Sequence, residues 1–77
     1  MDTPLTAYIL KRLKDINWKY PSDSISIPRN LLEDDHIENV AELESLLKYI
    51  RAVKGLTFRV KEINYCIGEE TFIIKFR

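Results

Sequence analysis

The chain has 77 residues, 45% of them hydrophobic and 31% charged, and its 12 cationic and 12 acidic side chains leave a formal net charge of zero. That length holds one domain, residues 1–77, burying only about 60–65% of its unfolded surface, and the composition excludes a disordered chain. A neutral total supplies little of the counterion-release energy behind non-specific nucleic-acid binding, and no apolar run reaches the roughly 18 residues of a membrane span.

The charge is unevenly spread along the chain. Residues 1–30 carry five cations against three carboxylates, residues 31–47 carry six carboxylates and no Lys or Arg, and residues 48–77 carry seven cations against three carboxylates. The N-terminal residues lack the charged and apolar regions of a secretory signal. Cys66 is the single cysteine and makes no intrachain disulfide, so the expected compartment is cytoplasmic or otherwise intracellular.

In chain order, Thr3-Pro4 is a helix start, with a hydroxyl N-cap followed by proline where a missing N–H costs nothing. Leu5, Ile9, Leu13, Ile16 and Tyr20 then recur at spacings of four and three, one face of a helix. Pro21 disfavours helical geometry at Tyr20, so this helix is expected to end near residue 18 or 19. Ser22-Asp23-Ser24 reads as a turn, and Ser24-Ile25-Ser26-Ile27 alternates as a short half-buried strand closed by Pro28.

Asn30 to Glu33 and Asn39 to Glu42 both have the spacing of a capping box. The two starts predict a short helix near 29–35, a tight connection at Asp35-His36-Ile37-Glu38, and a longer helix over 40–54, with one continuous helix as the alternative. Helical phase favours the break, because Ile37 lies off the stripe of Val40, Leu43, Leu46, Leu47, Ile50 and Val53. Gly55 is placed to end the long helix in a left-handed conformation.

The remaining residues predict a hairpin. Gly68-Glu69 as a two-residue loop fits a type II′ turn. It pairs Tyr65 with Phe72, Ile63 with Ile74 and Lys61 with Phe76 on one face, and Glu62 with Lys75, Asn64 with Ile73 and Cys66 with Thr71 on the other. In that register Phe58 and Val60 face the wrong way, so a bulge near Lys61-Glu62 is expected.

From about residue 5 onward the chain resembles the winged helix-turn-helix superfamily. The resemblance rests on Ile25-Ser26-Ile27-Pro28, on the helix from Leu43 that ends at Gly55-Leu56, and on the hairpin around Gly68. It implies an α+β, winged-helix-like fold with three helices, a short strand and a C-terminal β-hairpin. Another small α+β arrangement, with the helices packed on one sheet face, is the alternative.

In such folds the second helix of the helix-turn-helix pair meets the major groove. On the helix over 40–54 the exposed face carries Ala41, Ser45, Lys48 and Ala52, flanked by Glu44 and Arg51. The expected nucleic-acid contacts are Ser45, Lys48, Arg51, Lys54, Arg59 and Lys61, side chains able to meet phosphates or base edges. Against DNA stand Glu38, Glu42 and Glu44 at the start of that helix and Glu69-Glu70 at the wing tip. The competing expectation is a protein-interaction or inhibitor module that engages a partner through Trp18 and through Glu38, Glu42 and Glu44 of the acidic 33–44 segment.

A homo-oligomer, with no membrane and no small-molecule substrate, completes the expectation. Asp34-Asp35-His36-Glu38 lacks any recognised metal-ligand spacing, Cys66 has no histidine spaced to make a nucleophile pair, and two glycines make no phosphate loop. No metal, cofactor or enzymatic activity is expected.

Overall fold

The structure, a computed structural model, describes residues 3–19 and 24–77. Its elements are α1 (Pro4–Lys14), β1 (Ser24–Ile27), α2 (Arg29–Asp34), α3 (Val40–Lys54), β2 (Val60–Cys66) and β3 (Thr71–Phe76). The three strands form one antiparallel sheet in the order β1-β3-β2. The last strand therefore inserts between the first two, and the sheet joins distant parts of the chain.

Thr3 caps α1 as its chemistry predicts: its hydroxyl oxygen accepts from the Thr6 N–H at 3.2 Å, and Pro4 follows. The same hydroxyl donates to Asp35 Oδ2 at 2.7 Å, tying the start of α1 to the end of α2. The helix stops at Lys14, short of the expected 18 or 19. Asp15 N–H turns back to the Arg12 and Leu13 carbonyls, and Asn17 Oδ1 accepts from Lys19 N–H at 3.1 Å. An Asn side chain competing for backbone donors ends a helix before the proline is reached. Leu5, Ile9, Leu13 and Ile16 are all buried. The expectations for Tyr20, Pro21, Ser22 and Asp23 lie outside the described residues.

In β1 only Ile25 and Ile27 face inward, and the Tyr8 hydroxyl donates to the Ser26 carbonyl at 2.7 Å, fixing α1 against this strand. The capping box expected at Asn30 is not formed, because α2 begins at Arg29 with Pro28 at its N-cap and no side-chain cap. Pro28 has no N–H and its φ suits the helix start, so it sets the boundary two residues earlier than Asn30 would.

Two helices, not one, follow. His36 adopts a left-handed conformation (φ 55°), its N–H bonds to the Glu33 carbonyl at 3.1 Å and Ile37 N–H to the Leu32 carbonyl at 2.9 Å. This is the paired bonding of a Schellman ending, with histidine where glycine is usual. α3 then starts on Asn39, whose Oδ1 accepts from Glu42 N–H at 2.9 Å. It ends on Gly55 at φ 64°, and Leu56 N–H bonds to the Arg51 carbonyl at 2.9 Å. Leu43, Leu47 and Ile50 are buried, whereas Val53, placed on the apolar stripe by its phase, is 57% exposed. The last turn of α3 projects past the core.

The hairpin keeps most of the expected register but reaches it through a different loop. Glu62 pairs with Lys75, Ile63 with Ile74, Asn64 with Ile73, Tyr65 with Phe72 and Cys66 with Thr71. The Lys61–Phe76 pair is replaced by Val60–Phe76, with a bulge between Val60 and Glu62. That bulge returns Phe58 to the core, where it is 7% exposed. Gly68 does not have positive φ; Glu70 does, at 51°, and its N–H points to the Ile67 carbonyl at 3.4 Å. The connection is thus a four-residue loop over 67–70 instead of a type II′ turn. Both loops centre on the same bond, which is why the register survives the change.

Candidate functional site

At about 100° per residue, the side of α3 opposite Leu43, Leu47 and Ile50 carries Ala41, Ser45, Lys48 and Ala52, and all four are exposed. Arg51 and Glu44 border this face on one side. Tyr49 and Val53 border it on the other, at 63% and 57% exposure, a feature the charge-based reading passed over. Lys48 and Arg51 have no ion-pair partner among the described residues.

Several of the acidic side chains have local work. Glu42 Oε1 accepts from Asn39 Nδ2 at 2.9 Å, so this carboxylate belongs to the cap of α3. Arg29 holds two others: Glu33 at 2.8 Å along α2, and Glu70 of the hairpin loop. The hydrogen bond to Glu33, followed by the charges of Glu70 and Glu33, holds the Arg29 guanidinium above its ordinary pKa. Arg29 thereby bridges α2 to the hairpin loop and offsets part of its negative charge. Glu62 meets Lys75 across the hairpin at 3.4 Å. Glu38, Glu44 and Glu69 remain exposed.

The six expected nucleic-acid contacts do not form one patch. Ser45, Lys48 and Arg51 share the outer half of α3. Lys54 lines a separate notch beside Thr3, Tyr49 and Val53. Lys61 is exposed at the bulge, and Arg59 lines a groove at the far end of α1.

That groove has a volume of about 600 Å³ and brings Arg59 together with Lys14 and Arg77, two cations absent from the expected set. Its apolar surface comes from Leu13, Leu56, Phe58 and Trp18. Because α1 ends early, Trp18 leaves the helix and folds back against β3. Its ring meets Phe76 edge-on at 5.4 Å between centroids, and Phe76 meets Phe58 at 5.9 Å in the same manner. Trp18 stays 42% exposed, so one side is buried and the other faces the groove. No local spacing could reveal this grouping, since Lys14 and Arg77 lie towards opposite ends of the chain.

The other titratable side chains singled out by the sequence have local contacts. Asp35 accepts the Thr3 hydroxyl and His36 forms the left-handed cap of α2. Cys66 is half-buried opposite Thr71 in the sheet. Among the described residues no group of three His, Cys, Asp or Glu side chains is placed to hold a metal ion, and no helix is long and apolar enough to cross a membrane. No family model, curated protein or solved structure matches the chain.

Proposed function

We propose that this is a winged-helix domain that binds nucleic acid without catalysing a reaction, with α3 as the contacting helix and Ser45, Lys48 and Arg51 as its leading side chains. The observation that carries the reading is the combination of α1-β1-α2-α3-β2-β3 with strand order β1-β3-β2 and an outward α3 face bearing Lys48 and Arg51. Ala41, Ser45 and Ala52 let the helix approach closely, while the two cations reach phosphates or base edges. The pairing of Arg29 with Glu70 reduces the electrostatic objection at the wing tip. Binding by so few cations is weak and steeply salt-dependent.

Fluorescence anisotropy with duplex DNA at low salt tests this directly. Wild-type protein should bind and the Lys48→Glu, Arg51→Glu variant should not. Equal binding by the two, or none by wild type, discards the proposal. A second reading is favoured by Tyr49 and Val53, whose exposure on the flank of α3 suits a protein partner better than a phosphate backbone. In that reading Glu38 and Glu44 supply polar contacts at the same helix. A homodimer is part of the same proposal, and light scattering at increasing concentration checks it: a mass that stays at one chain removes it.

A further inference from the structure

We infer that the groove between the end of α1 and the segment following α3 is a binding site for a small organic anion with an apolar body. Three features meet there. The apolar surface is aromatic and aliphatic, from Trp18, Phe58, Leu13 and Leu56. The volume, about 600 Å³, lies within the range of small-molecule sites. Lys14, Arg59 and Arg77 line the same space, and none has an ion-pair partner among the described residues.

The arrangement is specific in its chemistry. Three like charges around an apolar concavity repel one another and gain from an anion placed among them. Trp18 is held by its edge contact with Phe76, so its remaining surface is presented without a new ordering cost. Arg77 N–H donates to the Arg59 carbonyl at 3.0 Å, which fixes the two arginine backbones side by side. A cation is repelled here, and a neutral apolar molecule forgoes the arginine contacts. A carboxylate or phosphate on an aromatic body satisfies both halves of the groove. Nothing in this site depends on the proposed nucleic-acid contact at α3, so either reading can fail without the other.

The test uses the full ¹⁵N-labelled chain and 2-naphthoate, with 2-naphthamide as its neutral counterpart. Trp18 is the single tryptophan, so its indole N–H gives one resolved signal. Naphthoate should shift that signal and the amides of residues 56–59 saturably, and naphthamide should bind roughly tenfold more weakly, about the worth of one charge-assisted contact. Lys14→Gln with Arg59→Gln should weaken naphthoate by a similar factor and leave naphthamide unchanged. Both replaced side chains are exposed, and an unaltered amide spectrum away from the groove establishes that the variant is folded. Equal affinity for the anion and the amide, or no saturable shift at Trp18, overturns the proposal. So does a short thymidine oligonucleotide that displaces naphthoate at lower concentration than naphthoate itself requires, which would assign the groove to a nucleic-acid strand.

Discussion

The two glycines should respond to alanine in opposite directions. Gly55 sits at φ 64°, ψ 34°, while the φ of Gly68 lies outside the left-handed range. An added Cβ meets nothing within 4 Å at either position, so both effects are conformational. For an L-residue the left-handed conformation costs about 1–2 kcal/mol. Alanine also restricts the unfolded chain, returning about 0.4–1 kcal/mol. Gly55→Ala should therefore lose about 1 kcal/mol net. Gly68→Ala meets only the favourable part and should gain about 0.4–1 kcal/mol. Urea unfolding followed by far-UV circular dichroism, extrapolated linearly, measures both; the unfolded-chain contribution is common to the two, so the gap is the left-handed cost alone, about 1–2 kcal/mol. A loss at Gly68 as large as that at Gly55 would refute the four-residue loop and restore a type II′ turn with positive φ at Gly68.

Two further substitutions probe the sheet. Phe76→Leu keeps an apolar side chain but removes both edge contacts, to Trp18 and to Phe58; it should cost about 1–3 kcal/mol and shift the emission of the single tryptophan to longer wavelength, and unchanged emission would contradict the docking of Trp18. Thr71 Oγ1 is buried without a hydrogen-bond partner among the described residues, so Thr71→Val should be neutral or raise stability by about 1 kcal/mol, and a loss in thermal unfolding would show that the hydroxyl is bonded.

The fold was legible where its signals are local. Thr3 and Asn39 accept from N–H groups three residues onward, and Gly55 ends α3 by its own freedom of φ. Each of these interactions closes within one helical turn, so neighbouring residues suffice to specify it. The hairpin register was legible for a related reason. Opposite charges at Glu62 and Lys75 and aromatic rings at Tyr65 and Phe72 align together in one register, and they meet at 3.4 Å and 5.1 Å respectively. The expected bulge followed from the need to turn Phe58 inward. Asn30 misled because it matched a capping spacing that Pro28 had already made unnecessary.

The sequence by itself thus determined the three helices, the short first strand, the hairpin and the caps of α1 and α3, because propensity, capping and alternation act over a few residues. Tertiary structure decided where the chain goes after α1, because Trp18 docks on Phe76 where a helical phase would continue, alongside the local bond from Lys19 N–H to Asn17. It also decided that Glu70, and not Gly68, takes the left-handed position in a loop held to α2 by Arg29. The same packing breaks up one run of cations, leaving Lys48 and Arg51 on α3, setting Lys54 beside Thr3 and drawing Arg59 to Lys14 and Arg77. Side-chain chemistry can be read in order along a chain, but which charges share a groove depends on the sheet that brings β3 between β1 and β2.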